Sequence, residues 1–348
     1  MAVFIPGYKE DEVIISVAEE ALLQDYPSKL FDIIIIADSF RPETLLELRK
    51  LPLKVIEVSF DKSTKSKALN KAMEQLTEPY EIAVILDADN IMASDFLKKI
   101  NSAFGQKCIA VQGHRTAKNM NTSLAILDAV SEEINNHIFR KGHRVLGFSS
   151  AIIGSGMAFD YTYFKQLMSG VTAVGGFDKE IELKMLKAGH KIIFLDDAYV
   201  YDEKVQKSEV FSNQRRRWLS AQLYYFQQYF WDSLKDLLLK GNFDYFDKAI
   251  QFIQPPRILL LGSVIIFDAL FTFLNIILDG SMFLTELWGA VTLFCLLAFI
   301  FAIPGSFYNW KTGRALLSLP GGMILMLGSL FRVKGANKQF IHTKHSVN

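Results

Sequence analysis

The first half of the chain alternates short runs of β-branched residues with segments whose apolar residues recur at helical spacing. The strand-like runs are residues 2–6, 31–38, 53–58, 82–87 and 108–113, and helical segments such as 11–24 and 67–75 separate several of them. Strands that alternate with helices form a mostly parallel sheet covered on both faces. We therefore predict an α/β fold that binds its ligands at the carboxyl ends of the strands.

Helical spacing continues after the last of these runs. It predicts a long helix over 122–141 and a shorter one over 179–187, where Gly189 is a standard helix stop. The stretch 147–156 between them is rich in Gly and Ser, which indicates a loop.

The last third of the chain is strongly apolar. Runs 258–278 and 287–303 have about the length that crosses a bilayer, and the aromatic, amphipathic segment 219–256 precedes them. That segment is predicted to lie in the membrane interface, although a helix pair packed on the core fits the same pattern. A further apolar run, 315–331, is broken by Pro320-Gly321-Gly322 and is predicted to be interfacial or re-entrant, with a full third span as the alternative. The predicted domains are 1–218, 219–256, 257–304 and 305–348.

Charge and composition restrict the function. The 348 residues carry a formal net charge of +1, without the basic stripe of a nucleic-acid-binding protein. The two cysteines, Cys108 and Cys295, have neither disulfide nor zinc spacing. No signal peptide precedes the first strand, so we expect the globular part to stay in the cytoplasm.

The distribution of basic residues predicts the orientation in the membrane. The loop 279–286 has no Lys or Arg, whereas the chain from residue 311 onward has no acid and carries Lys311, Arg314, Arg332, Lys334, Lys338 and Lys344. The positive-inside rule then places the loop outside, and the tail and the globular part in the cytoplasm. Asp268 lies within the first span, where a carboxylate is costly; we favour a hydrogen-bonded side chain at a helix contact over a functional group.

Acidic side chains follow the strand-like runs. Asp87-Ala88-Asp89-Asn90 ends one buried run, where one carboxylate can bind a metal ion and the other a sugar hydroxyl. We assign the metal to Asp89 and the sugar or ribose to Asp87. A turn held by Asx hydrogen bonds is the alternative. The Gly-x-Gly-x-x-Gly pattern is missing after the first run, which argues against a dinucleotide-dependent dehydrogenase.

Other polar residues suit a nucleotide. Tyr8 offers a ring for stacking, Glu10 an acceptor for a base N–H, and Asp38 ends the second run. Lys65 suits a phosphate or a base carbonyl, although a solvated lysine before a helix fits equally. In Gln214-Arg215-Arg216-Arg217-Trp218, arginine forks suit diphosphate oxygens and the indole suits a sugar ring. A basic helix attracted to anionic lipid is the alternative.

This ordered set resembles glycosyltransferase family 2, and within it the membrane-integrated branch that includes cellulose and hyaluronan synthases. The resemblance covers residues 2–218. It implies a GT-A fold (Rossmann-like, mostly parallel sheet), a UDP-sugar donor, Mg²⁺ or Mn²⁺, and inversion by a single displacement. It also implies an integral membrane protein, for which we expect the bacterial inner membrane.

The resemblance also implies roles for individual residues. The nucleotide part of the donor is assigned to Tyr8, Glu10, Asp38 and Lys65, the donor sugar and metal to Asp87 and Asp89, and the diphosphate to Gln214 and Arg217. Trp218 is assigned to the acceptor, and Gly154-Ser155-Gly156 to the loop beneath it, for which a plain turn is the alternative.

The general base in such relatives is the Asp of a Thr-Glu-Asp motif. Asp178 matches that Asp and Glu180 a later acid, while Phe177 replaces the Glu. We assign the base to Asp178, with Glu180 as the alternative. Asp178 also suits the N-cap of a helix, and both roles can coexist.

The sequence thus predicts a membrane-bound inverting glycosyltransferase. Its acceptor would be a lipid-linked sugar or a growing polysaccharide, and because two spans are too few to enclose a sugar-wide channel, export would need a homo-oligomer. The alternatives are a non-processive transferase acting on a lipid, a nucleotidyltransferase, and a catalytically silent nucleotide-sugar-binding protein, which the Phe177 replacement favours.

Overall fold

The computed structural model describes residues 1–171, 175–206, 208–278 and 280–331. Asp279, in the predicted external loop, lies outside the described residues. The same holds for the basic tail residues Arg332, Lys334, Lys338 and Lys344.

A single eight-stranded sheet forms the centre of the globular domain, in the order β3-β2-β1-β4-β7-β6-β8-β5. Its strands are β1 (Ala2–Tyr8), β2 (Asp32–Asp38), β3 (Lys54–Val58), β4 (Ile82–Ile85), β5 (Ile91–Met92), β6 (Ala110–Ala117), β7 (Met157–Asp160) and β8 (Ile192–Asp202). The β1/β2, β1/β4, β2/β3 and β6/β8 pairs are parallel, whereas β4/β7, β6/β7 and β5/β8 are antiparallel. The prediction of a mostly parallel α/β sheet is confirmed.

Fourteen α-helices accompany the sheet in the described residues. They are α1 (Ile14–Ala21), α2 (Pro42–Leu48), α3 (Lys65–Gln75), α4 (Phe96–Phe104), α5 (Ser123–Asn135), α6 (His143–Val145), α7 (Tyr161–Ser169), α8 (Phe177–Lys187), α9 (Ser208–Lys240), α10 (Phe243–Gln251), α11 (Arg257–Leu278), α12 (Met282–Ala302), α13 (Trp310–Leu316) and α14 (Leu319–Phe331). A π-helix, Asn136–Gly142, joins α5 to α6.

Side-chain alternation along the central strands builds a core on both faces of the sheet. Phe4 of β1 packs with one buried cluster, and its neighbours Val3 and Ile5 pack with the other. Successive residues of a strand point to opposite faces, so both faces of a buried strand must be apolar. The continuous run Ile33–Ile36 in β2, which is buried throughout, follows from this requirement.

Three strands lie outside the predicted set. β5 has only two residues, and the four-residue β7 runs antiparallel between β4 and β6. In β8 the pair Asp196-Asp197 interrupts the apolar pattern, where the register with β6 shifts between Gly113 and His114. Short length and irregular register remove the period of two on which strand prediction depends.

Two helices, α11 and α12, are long and apolar enough to cross a membrane, with mean hydropathies of 2.1 and 2.0. They are antiparallel, because Thr285 Oγ1 donates to Phe271 O (3.2 Å) while a Cβ on the later Gly289 would lie 3.8 Å from Oδ1 of the earlier Asp268. Helices α13 and α14 meet at a bend of 49°, so this pair is either a broken third span or a re-entrant loop.

Helix α5 connects the sheet to the apolar helices. Its residues Ile126 and Ala129 share a buried cluster with Ala302, at the end of α12. Near its other end, Asn135 Oδ1 accepts a hydrogen bond from Arg257 Nη1 (2.7 Å), at the start of α11. Because α11 and α12 are antiparallel, both contacts lie at the same end of the helix pair. Helix α5 therefore lies across the end of the two candidate spans.

Candidate active site

The carboxyl ends of β1, β2 and β4 meet at one edge of the sheet. Tyr8 is paired in register with Asp38 across β1 and β2, and Leu86, just after β4, donates its N–H to Phe4 O (3.0 Å). Asp38 is buried and accepts a hydrogen bond from Ser39 Oγ (2.9 Å). Glu10, also buried, follows β1 directly. Tyr8, Glu10 and Asp38 therefore lie at the edge where the sequence places a nucleotide.

Lys65 connects two predicted parts of the site. It begins α3, whose N-cap is the side chain of Thr64. Its Nζ donates to Asp87 Oδ1 (2.5 Å), to Leu86 O (3.0 Å) and to Gly154 O (2.8 Å). The side chain is only 20% exposed, so the interpretation as a solvated lysine is wrong. Lys65 instead ties the Asp-x-Asp segment to the glycine loop.

The Asp-x-Asp segment is fixed by hydrogen bonds from three directions. Asp87 N donates to Asn90 Oδ1 (3.2 Å) and to Ser155 Oγ (3.1 Å). Asp89 is buried; its Oδ1 accepts from Asn90 Nδ2 (3.1 Å) and its Oδ2 from the backbone N–H of Glu203 (3.2 Å). A turn held by hydrogen bonds of the Asn90 side chain is therefore present, as the alternative interpretation expected, and it fixes the positions of Asp87 and Asp89.

Glu203 was not predicted as a site residue. It follows β8, and its backbone N–H donates to Asp89 Oδ2, which places the residue beside the Asp-x-Asp segment. The signal that was available is an acid directly after a strand. That signal was lost because β8 itself was not predicted.

The oxygen ligands available at the Asp-x-Asp segment fit a divalent cation that is also bound by a diphosphate. Nowhere in the described chain do three or more His, Cys, Asp or Glu side chains form a ready metal cluster. Mg²⁺ is commonly held by one or two carboxylates together with substrate phosphates, and oxygen donors suit Mn²⁺ equally. Asp89 and Asp87 are the carboxylates that could contribute to such a shared site.

The loop Gly154-Ser155-Gly156 brings the proposed base to the site. Gly154 and Gly156 have φ of +79° and +61°, and a Cβ on Gly154 would lie 3.5 Å from Cγ of Asp178. Gln112 Nε2, buried in β6, donates to Ser155 O (3.0 Å) and Gly156 O (3.1 Å). The Gln112 side chain therefore holds the loop against β6. Glycine is required at positions 154 and 156 because L side chains rarely adopt these angles.

The two candidate bases have different surroundings. Asp178, in the first turn of α8, borders Gly154, and its Oδ2 lies 3.7 Å from Lys179 Nζ. Glu180 accepts a hydrogen bond from Lys184 Nζ (2.6 Å). The N-cap of α8 is Gly176, with φ of +71°, so the interpretation of Asp178 as the N-cap is wrong. This arrangement favours Asp178 as the base.

Helix α9 turns the arginine segment toward the protein. Burial lowers the pKa of Arg217, and the negative charge of Asp87 opposes that shift, so the guanidinium lies within electrostatic range of Asp87. Arg215 is paired with Asp128 of α5 and stacks on the ring of Trp218, 4.5 Å from its centroid. Gln214 Oε1 is buried and accepts no hydrogen bond from the described residues. Binding to lipid headgroups alone does not explain these contacts.

A buried ion network lies behind the Asp-x-Asp segment, and sequence analysis missed it. Arg115 of β6 pairs with Glu132 of α5 (3.0 Å) and with Asp202 of β8 (3.4 Å), and Lys204 pairs with Asp202 (2.8 Å). Burial raises the pKa of Asp202 to about 6, although Arg115 and Lys204 act in the opposite direction. The network fixes the end of β8, and therefore the backbone of Glu203 that holds Asp89.

Helix α8, which carries Asp178, is held in place by contacts with α10. Glu182, one turn after Asp178, is 1% exposed and pairs with Lys248 of α10 (2.8 Å). Burial raises the pKa of Glu182, and Lys248 opposes that shift. Asn242 Nδ2 also donates to Leu186 O (2.9 Å), near the end of α8. A movement of α10 would therefore be transmitted to the helix that carries Asp178.

The segment 219–256 has features expected of interfacial helices and features expected of a helix pair packed on the core. Tyr225 of α9 and Tyr245 of α10 are buried against α8, as expected for helices packed on the core. Trp231 and Leu238, on the same α9–α10 hairpin, are exposed, as expected for residues that meet a membrane interface. Helix α9 also runs without a break through the predicted domain boundary at residue 218.

Comparisons with known proteins point to one family. A family profile described as "Glycosyltransferase like family 2" matches residues 1–221. No curated protein sequence matches the chain.

Solved structures with a similar fold include a mannosyltransferase, PcManGT, from Pyrobaculum calidifontis in complex with GDP-Man and Mn²⁺. Its TM-score is 0.52 at 18% identity, over 93% of this chain and 86% of that one. TarS from S. aureus with UDP-GlcNAc gives 0.45 at 14% identity, over 97% and 90%. Glucosyl-3-phosphoglycerate synthase from Mycobacterium tuberculosis with Mn²⁺, UDP and phosphoglyceric acid gives 0.42 at 14% identity, over 61% and 73%.

Proposed function

The chain belongs to glycosyltransferase family 2, and we propose that it transfers a sugar from a UDP-sugar, with inversion, to a glycan or lipid-linked acceptor at a membrane. The predicted GT-A fold is confirmed. One observation carries the proposal: Lys65 joins Asp87 to the Gly154 loop, and Asp178 borders the same loop. The residues that we assign to the donor and to the base therefore lie close together.

The donor would lie along the ends of β1, β2 and β4. Tyr8, Glu10 and Asp38 would bind the base and ribose, while Gln214 and Arg217 would bind the diphosphate, for which an arginine fork and an amide supply donors. Asp89, with Asp87, would hold Mg²⁺ or Mn²⁺. When bound, such a cation neutralises charge that develops on the leaving diphosphate.

The acceptor would lie over Gly154-Ser155-Gly156, with Trp218 against its ring. Asp178 would take the proton of the acceptor hydroxyl as that oxygen attacks the anomeric carbon. In the same step the bond from that carbon to the diphosphate breaks on the opposite face, so the diphosphate leaves with the bonding electron pair and the configuration inverts. Lys179 Nζ lies 3.7 Å from Oδ2 of this proposed base.

The candidate spans α11 and α12 would anchor the enzyme, with the catalytic domain on the cytoplasmic face of a bacterial inner membrane. An acceptor embedded in that membrane, either a lipid-linked sugar or a growing polysaccharide end, would then be within reach. Two spans per chain are too few for a sugar-wide channel, so a polymerase that also exports its product would need an oligomer.

Purified full-length protein in nanodiscs tests this function. It is incubated with a panel of labelled UDP-sugars and GDP-mannose, the latter because the mannosyltransferase structure holds GDP-Man. We expect release of UDP, with transfer to an extracted lipid fraction, and loss of both in Asp89→Asn but not in Asp25→Asn, an exposed carboxylate. Binding of UDP without turnover would instead indicate a catalytically silent protein. A ladder of products would indicate polymerisation, and one band a single addition.

A further inference from the structure

Two apolar side chains protrude from the catalytic domain at one point. Val145 and Leu146 are 81% and 73% exposed, more than any other large apolar side chain described before α9; the next is Leu23, at 66%. They lie at the end of α6, in a segment that we call the tip, residues 141–147. Single exposed apolar residues are ordinary, whereas two adjacent ones on a helix end form a surface that favours a nonpolar partner.

The tip lies beside the ends of the candidate spans. Helix α5 crosses those ends, and the chain continues from it through the π-helix into α6 as one helical segment. The ring of Phe139 in the π-helix lies 5.9 Å from the guanidinium of Arg257, the first residue of α11. At about 1.5 Å per residue, Leu146 lies within roughly 16 Å of Asn135, which bonds to the same arginine.

Contacts with α10 fix the tip in place. His143 Nδ1 lies 3.7 Å from Asp247 Oδ2, and Ser149 N donates to Asp244 Oδ1. Lys191 Nζ donates to Gly147 O (2.5 Å). The exposed side chains Val145 and Leu146 are therefore presented by a restrained turn rather than by a loose loop.

The charge of the tip is basic. Residues 141–147 include Lys141, His143 and Arg144 and no acid. Lys141 is neutralised by Asp196 (2.6 Å). Arg144 donates to Phe148 O (3.1 Å) and makes no ion pair with the described residues. Arg144 thus leaves one cation beside two exposed apolar side chains, and a cation near a membrane surface is attracted to anionic lipid headgroups.

We propose that the tip is a second membrane contact, in which Val145 and Leu146 enter the bilayer interface and Arg144 binds an anionic lipid headgroup. The proposal rests on α11 and α12 being membrane spans. Because the chain reaches Gly154 a few residues after the tip, this contact would hold the acceptor loop at the membrane surface. It lies outside the segment 219–256, where the sequence predicts interfacial helices.

Spin labels in nanodiscs test the contact. In a background where Cys108 and Cys295 are replaced by Ala, the label is placed at Leu146→Cys, at Phe294→Cys in α12, and at Leu46→Cys, an exposed leucine of α2 on the far edge of the sheet. Power saturation then compares collisions with oxygen, which concentrates in lipid, and with a water-soluble nickel chelate. We expect the oxygen-to-nickel ratio at 146 to exceed that at 46 severalfold and to approach that at 294.

The controls separate two failures. A water-like ratio at 146 with a lipid-like ratio at 294 would overturn the proposal and leave the membrane spans intact. A water-like ratio at 294 would mean that α12 is not a span, which removes the premise and overturns the proposal too. Dipolar broadening between labels at 146 would indicate a second copy of the chain as the occupant, against the proposal. In the parent, we expect phosphatidylglycerol in the nanodisc to raise the oxygen-to-nickel ratio at 146. In Arg144→Gln, we expect this increase to be lost.

Discussion

The two halves of the catalytic domain are built differently. In the donor half, β1 to β4, Tyr8, Asp38 and Asp87 lie at or just after the ends of buried strands, and parallel neighbours bring them to one edge of the sheet. In the acceptor half, β6 to β8 with α5, α8 and α9, the site depends on ion pairs between distant segments. Local sequence therefore indicates the strand-end residues of the proposed donor site, whereas tertiary packing positions the proposed base and the arginine segment of α9.

The two candidate bases offer the largest expected difference. We expect Asp178→Asn to lower turnover by about 10² to 10⁴, the usual contribution of a general base, with UDP binding unchanged. Glu180→Gln should have a much smaller effect, because its carboxylate is already paired with Lys184. Steady-state kinetics and calorimetric binding of UDP distinguish these outcomes. If Glu180→Gln were the more damaging, the assignment of the base would be reversed.

The buried ion network should dominate the stability of the acceptor half. We expect Arg115→Met to lower the free energy of unfolding by about 3–5 kcal/mol, because Glu132 and Asp202 would lose a buried partner. Arg49→Met, which breaks the exposed pair with Glu57, should cost about 1 kcal/mol or less. Chemical denaturation in detergent compares the two. Equal costs would show that the network does not stabilise this half.

Lys65 provides a test within the donor half. Lys65→Met removes charge-assisted hydrogen bonds to Asp87, Leu86 O and Gly154 O, and one such bond contributes about 1.5–3 kcal/mol. We expect weaker binding of the UDP-sugar, by roughly tenfold to a hundredfold. Lys67→Met, on the same helix but with its Nζ on Lys62 O at the surface, is the matched control. Calorimetry that gave the two variants the same affinity would remove Lys65 from the donor site.

The smallest effect is a pH dependence in the acceptor half. Burial lowers the pKa of His114, but its hydrogen bond and attraction to Glu133 outweigh burial, so the pKa is raised. The contribution of His114 to the free energy of unfolding is then fully present below the unfolded pKa of about 6.5. It is lost as the pH rises through the folded pKa. The difference in Tm between the parent and His114→Gln should therefore shrink toward alkaline pH, from a contribution of about 1 kcal/mol. A difference that grew with pH would contradict this, and His190→Gln serves as the control.

The limits of sequence analysis follow the same division. Asp38, Asp87 and Asp89 were predicted as site residues because a buried run precedes each of them, and Asp178 because it matches a motif. Arg115, Glu182 and Glu203 were missed. Their partners lie on elements that are distant in sequence, such as Lys248 for Glu182. The local pattern of apolar and polar residues contains no information about such pairs. The bonding of Lys65 to the Asp-x-Asp segment was hidden for the same reason, since Asp87 is 22 residues away.

The most direct test of the whole account is a cryo-electron microscopy structure of the protein in nanodiscs with an unreactive UDP-sugar analogue and Mn²⁺. The account predicts density for the diphosphate between Asp89 and Arg217, with the anomeric carbon facing Asp178 across the Gly154 loop. Nucleotide density at any other surface, or a diphosphate out of reach of both Asp89 and Arg217, would contradict it.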